Sequence, residues 1–260
     1  MSTFPTRSQN PDEVMHAVER DGVAILVGCG PDGDDAVAAA RSIFEDRVVA
    51  IPEPAEVRAG GVKDRTAATI DETMPLPPHT DGFAYGDHYP DYFLLSCAHA
   101  SGVGGESFGV DGYRVLTELR TQEGGGELLE RMSQIPIDQT EPDMRGSLSP
   151  LIMQNDEGRL MLRRFPFQQP ADDSVDADAD AAMIDAWHTA VSAAGEAAPR
   201  FKVETGEVVV FDNYRMMHGR DPYTDAHRLM WRVWVWTTSA LGVPDGQLHS
   251  DSRYASTSDA

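Results

Sequence analysis

Lysine is almost missing from this chain. Only Lys63 and Lys202 occur, and acidic residues outnumber Lys and Arg together 43 to 21, giving a formal net charge of −22. A field of that sign repels nucleic-acid phosphates and anionic membrane surfaces, so neither is expected as a partner. The acid is spread through loops such as Asp172-Asp173 and residues 176–180, which reads as a solvated surface rather than a cation-binding tail. Cysteine is equally scarce: Cys29 and Cys97 are too few for a disulfide framework or a zinc ribbon and read as core or near-core thiols. Long apolar runs are lacking too. No window approaches the ~20 apolar residues of a membrane span, and residues 1–14 hold no apolar run of signal-peptide length. These absences lead us to expect a cytoplasmic protein that acts on a small molecule.

With 260 residues the chain can bury a sizeable core, and it shows no internal repeat. Residues 1–240 read as a single domain and residues 241–260 as a polar, loose C-terminal tail. Asn10 caps and Pro11 opens a helix whose apolar stripe is Val14, Ala17 and Val18 and which Gly22 stops. A short buried strand is expected over 23–27, then a helix from Asp34 or Asp35 to about Asp46. Residues 52–78, punctuated by Pro and Gly, read as largely irregular, and a loop of that length points to function. Strands are expected over 92–98, 106–110, 135–138, 148–155 and 159–165, the last two joined by an Asp156-Glu157-Gly158 hairpin turn. Helices are expected over 111–122, ended by the Gly124-Gly125-Gly126 break, and over 179–194. Residues 208–212 and 229–237 are apolar on both faces, as central strands covered on both sides are. The fold class is therefore mainly β with flanking helices, a double-stranded β-helix or cupin-like jelly roll.

The chemistry concentrates in His79-Thr80-Asp81, after Pro77-Pro78. Proline pairs force an extended approach, and on an extended segment residues two apart share a face. One metal ion could take both side chains. His218, late in the chain, would complete a two-His-one-carboxylate facial set that leaves open positions on Fe(II). Taken alone, each residue reads more blandly, His218 as a buried hydrogen-bonded imidazole and the His-x-Asp spacing as coincidence. His88 and His99 compete as ligands, but neither has a carboxylate partner at strand spacing. Arg228 and Arg232 fall four apart on an otherwise apolar strand. Buried charge is costly unless paired, and a bound dicarboxylate would pair them. Phe83, Tyr85, His88 and Tyr89 form an aromatic and polar loop past Asp81, of which Phe83 and Tyr85, with Arg232, are the substrate candidates. Arg163-Arg164, beside Phe165 and Phe167, could reach a substrate anion but reads first as an exposed hairpin end.

Four separated motifs then agree: His79-Thr80-Asp81; Gly104-Gly105-Glu106-Ser107 with Asp111-Gly112; Asp212-Asn213 with His218-Gly219-Arg220; and Arg228-x-x-x-Arg232. Together, over roughly residues 75 to 237, the chain resembles the taurine dioxygenase and clavaminate synthase-like group of Fe(II)/2-oxoglutarate-dependent oxygenases. The resemblance implies that His79, Asp81 and His218 are the iron ligands and that Arg228 binds the distal carboxylate of 2-oxoglutarate. It implies that Ser107, where the family commonly has Thr, gives a hydroxyl to that same carboxylate. Arg232 would help with a carboxylate of 2-oxoglutarate or of the substrate. The implied cosubstrates are 2-oxoglutarate and O2, the products succinate and CO2, and the reaction hydroxylation of a small polar metabolite, with desaturation or cyclisation as variants. Asp81 weighs against a halogenase, since related halogenases carry Gly or Ala there. A zinc hydrolase would leave Arg228 and Arg232 without a purpose, and a non-catalytic barrel would not need all three ligands.

Overall fold

The computed structural model describes residues 4–58, 73–141 and 146–251. Two sheets face each other. The larger has seven strands, running Thr6–Ser8, Val23–Val27, Glu207–Asp212, Tyr92–His99, Leu229–Thr237 and Val48–Ala50, with Ala55–Arg58 also paired to Leu229–Thr237. The smaller has three, Leu76–His79, Met216–Arg220 and Ser107–Asp111, with Met216–Arg220 in the middle. Helices cover both outer faces, as the jelly-roll expectation requires.

Strand alternation sorts the side chains into these layers. Val208, Val210, Val233 and Val235 point outward and pack on helices Pro11–Asp21 and Gly33–Phe44. Val209, Phe211, Met230 and Trp234 point inward and meet Met216 of the small sheet. Val110 and Met217, on the outer side of the small sheet, pack against Leu116, Leu119, Leu129 and Trp187 of helices Gly112–Arg120, Gly125–Gln134 and Ala177–Ala197. Both inner strands are thus buried on both faces, as their continuous apolar pattern requires.

Several local expectations need correction. The second helix starts at Gly33, one or two residues earlier than expected, because Asp32 and Asp35 close a reciprocal capping box. The helix expected to run to 122 ends at Arg120, ahead of the triple glycine, and Gly124, in the left-handed region, caps another helix over Gly125–Gln134. Residues 52–78 are not irregular throughout: Ala55–Arg58 and Leu76–His79 are strands, while residues 59–72 lie outside the described residues. Pro150 splits the strand expected over 148–155 into Leu148–Ser149 and Ile152–Gln154. Residues 241–251 are not a loose tail. Ser250 and Asp251 are buried, because Ser250 Oγ accepts the Trp234 N–H and Asp251 pairs with Arg232; residues 252–260 lie outside the described residues.

Candidate metal centre

His79 ends the edge strand of the small sheet, where Pro77 and Pro78 are tolerated because an edge needs no inward N–H. In the antiparallel pairing His218 stands directly across from His79. Asp81 follows two residues later, and the chain then reverses at Gly82, whose φ of 92° lies in the left-handed region. A Cβ there would sit 2.4 Å from Pro90 Cδ, so only glycine allows this reversal. The strand Met216–Arg220, which carries His218, was not apparent in the sequence. Its Met-Met-His-Gly-Arg lacks the β-branched residues that mark strands.

The three side chains converge. His79 Nε2 lies 3.3 Å and His218 Nε2 3.7 Å from the same oxygen, Asp81 Oδ1, and the three donor atoms lie within 4.8 Å of one another. Donors about 2.1 Å from an ion and at right angles to each other stand about 3 Å apart, so a modest contraction would bring all three onto one metal ion. No other group of three His, Cys, Asp or Glu with such spacing occurs among the described residues. His88 is exposed, and His99 lies 4.0 Å from Asp225 on the surface.

The surrounding groups fix each donor. His79 Nδ1 lies 3.0 Å from the Pro77 carbonyl, which holds that nitrogen as the N–H and leaves Nε2 as the lone-pair donor. The His218 ring stacks on Phe93 with centroids 4.1 Å apart, and burial pushes its pKa down to about 3, so it is neutral as a ligand must be. Burial alone would raise the Asp81 pKa. The Arg232 guanidinium and the two imidazoles outweigh it and hold the carboxyl well below the usual carboxylate range. Asp81 Oδ2 accepts the Trp234 indole N–H at 2.8 Å, which turns Oδ1 toward the histidines. Asn213 clamps the Asp81 backbone, accepting its N–H and donating to its carbonyl, both at 3.0 Å.

Arg228 and the glycine turn meet as the motif order suggests. Arg228 is buried with its guanidinium 4.9 Å above the Tyr223 ring, and a Cβ on Gly105 would come within 3.4 Å of Arg228 Nε. Ser107 begins the next strand, buried and pinned through its backbone to Phe201. Arg232 points to the metal cluster, its Nη1 3.7 Å from Asp81 Oδ2, but its other nitrogens are engaged: Nε donates to the Ser250 carbonyl and Nη2 lies 3.2 Å from Asp251. Phe83 is enclosed between the Phe165 ring and the Arg163 guanidinium. Tyr85 packs edge-on against Trp234 and Trp236, and its hydroxyl bonds the backbone of His249.

Arg163 and Arg164 are not an exposed hairpin end. The hairpin strand ends at Leu162 and the chain then runs beside Thr80, so both are buried. Thr80 N–H donates to the Arg164 carbonyl and Arg164 N–H to Thr80 Oγ1. A cleft of about 920 Å³ lined by Leu116, Arg120, Leu129, Pro150, Ile152 and Met153 lies against the outer helices and includes none of the three ligand candidates. The convergent, pKa-shifted groups, and not this cleft, make the candidate functional site.

The chain is similar to known proteins. A family model described as taurine catabolism dioxygenase TauD, TfdA family, matches residues 3–234. The chain is 27% identical over 163 residues to gamma-butyrobetaine dioxygenase of Homo sapiens, a match covering 58% of this chain and 41% of that protein. It therefore spans about two fifths of the length of that relative. An asparagine oxygenase solved with Fe(II), hydroxyasparagine and succinate superposes with a TM-score of 0.60 at 15% identity, covering 87% of this chain and 79% of that one. The non-heme iron oxygenase OrfP, solved with Fe, succinate and (3S)-hydroxy-L-Arg, gives 0.58 at 15% identity, covering 88% and 79%. At such identities the two superpositions establish the shared fold.

Proposed function

The chain belongs to the TauD/TfdA family of taurine catabolism dioxygenases, and from that premise we propose that it is an Fe(II)- and 2-oxoglutarate-dependent oxygenase that hydroxylates a C–H bond of a small polar metabolite. The observation that carries the reading is the convergence of His79 Nε2 and His218 Nε2 on Asp81 Oδ1. Two imidazoles and one carboxylate make a facial set with open positions, the arrangement of non-heme Fe(II) oxygenases. When bound, the iron would activate O2 as the oxidant, with 2-oxoglutarate giving up two electrons as it is decarboxylated to succinate and CO2 and the substrate C–H bond giving the other two.

The protein's own residues bind, orient and exclude. His79, Asp81 and His218 hold the metal on one side. The Pro77 carbonyl keeps His79 in the donor tautomer, and Trp234 and Asn213 keep Asp81 aimed. Arg228, a buried charge beside the Gly104-Gly105 turn, receives the distal carboxylate of 2-oxoglutarate, with Ser107 adding a neutral hydroxyl. Phe83 and Tyr85, on the turn directly after Asp81, stand nearest in sequence to the substrate side of the metal and limit its shape.

The test is a metabolite screen for substrate-stimulated succinate formation, with the product identified by its mass shift. A gain of one oxygen atom is expected, and turnover should vanish in His218→Ala together with tight Fe(II) binding. Unchanged activity and metal affinity in that variant would remove His218 from the metal site.

A further inference from the structure

The residues between Leu248 and Asp251 lie 11 or more positions beyond the last strand, which ends at Thr237, yet they form a wall of the site. His249 bridges to Glu53, and its N–H donates to the Tyr85 hydroxyl at 2.7 Å. Ser250 Oγ accepts the Trp234 N–H, and the Ser250 carbonyl accepts Arg232 Nε at 2.6 Å. Asp251 is 2% exposed and puts Oδ2 3.2 Å from Arg232 Nη2. Arg232 is therefore held between two carboxylates, Asp81 on Nη1 and Asp251 on Nη2.

We propose that Asp251 is a specificity-determining residue: it occupies the anion-binding face of Arg232, so that the substrate brings a neutral or cationic group, not a carboxylate or sulfonate, to this side of the metal. The inference rests on the oxygenase reading and narrows its substrate class. An arginine fork beside a metal ligand is a ready receptor for an anion. Here the fork is filled from within the chain. An incoming anion would have to displace a buried, paired carboxylate or lie beside it and Asp81, and like charges brought together at that range repel. A neutral or cationic group meets no such opposition. Specificity of this kind comes from the repulsive element as much as from attraction.

The probe is methanesulfonate, a small monoanion, titrated calorimetrically into the whole chain under anaerobic conditions, with and without Fe(II). The wild-type protein should show no binding in the millimolar range. Asp251→Asn, which removes the charge and keeps the shape, should gain binding by about tenfold or more, and the gain should be lost again in the Asp251→Asn, Arg232→Ala double variant. Asp251→Glu, which restores the charge, should behave like wild type. Binding by the Glu variant equal to that of the Asn variant would mean that loosening of the segment, not charge, admits the anion, and would overturn the proposal. So would Arg232-dependent binding to wild type, or no binding to any variant. Succinate formation is followed separately in the metabolite screen. Its absence would count against the oxygenase reading while the anion titration remained decisive for Asp251.

Discussion

The Trp234 indole N–H donates to Asp81 Oδ2 at 2.8 Å, across 153 residues of chain, and so leaves Oδ1 as the oxygen that faces both histidines. A monodentate carboxylate whose second oxygen is held elsewhere keeps a metal's remaining positions open. Replacing Trp234 by Phe keeps most of the ring's packing in the inner layer and removes only the donor. The expected result is Fe(II) binding weakened about 10- to 100-fold, the usual cost of losing a group that orients a ligand. Competition with a chromophoric chelator measures it. Equal affinity in the two proteins would show that Asp81 needs no such brace.

The two cosubstrate candidates should separate in size of effect. Arg228→Ala removes a charged donor from a buried position, whereas Ser107→Ala removes a neutral hydroxyl. Hydrogen bonds to charged groups are worth about 1.5–3 kcal/mol and neutral ones about 0.5–1.5. Arg228→Ala should therefore raise the 2-oxoglutarate concentration for half-maximal turnover by about ten- to a hundredfold, and Ser107→Ala by about tenfold at most. If Arg232→Ala alone gave the large effect and Arg228→Ala none, the roles of the two arginines would be exchanged.

Legibility in the sequence followed the range of the interactions. His79 and Asp81 could be paired because period-two alternation is local, and the two central strands because burial on both faces writes a continuous apolar run. His218 could be named, but its strand could not, since Met216–Arg220 is held by pairing with two distant strands and not by its own propensity. Trp234 looked like one more core aromatic. Its role appears only once register places strand 229–237 beside 92–99 and turns its indole toward Asp81. The segment at 249–251 is polar and read as tail, and polar composition says nothing about an ion pair to a buried arginine. Arg163 and Arg164 misled for the same reason: charge suggests exposure until a buried partner is known.

Asp91 offers a pH test away from the metal. It is buried, and burial raises its pKa to about 6 against the hydrogen bonds from Thr237 and the charge of Arg159. A carboxyl that is harder to ionise folded than unfolded makes the native state hold more protons between about pH 4 and 6. Its contribution to stability is therefore present at low pH and lost as pH rises through that window, by about 2–3 kcal/mol for a shift of roughly two units. Asp81 and His218 slope the other way, since both bind protons more weakly when folded. The difference between wild type and Asp91→Asn isolates Asp91. Denaturant unfolding should show the wild type losing stability relative to the variant from pH 4 to pH 6. A flat difference would mean that Asp91 is ionised throughout.

Asp81 also bears on the outcome of the reaction. As a metal ligand its carboxylate would fill the coordination position that a halide ion would need, and Trp234, Arg232 and Asn213 hold the Asp81 carboxylate and backbone in place. The wild-type protein is therefore expected to give the same oxygenated product with chloride, with bromide or with neither. Asp81→Gly removes the ligand and, with it, the group that Trp234 and Arg232 orient, so metal binding and hydroxylation should both fall sharply. Opening a position does not by itself place a substrate C–H beside a halide, because such outcomes turn on geometry within about half an ångström. The glycine variant should thus be nearly inactive rather than converted to a halogenating enzyme. Mass spectrometry of products formed with each salt decides both points. A chlorinated or brominated product from the unmodified protein would mean that the position assigned to Asp81 is open to halide, and that Asp81 is not a metal ligand.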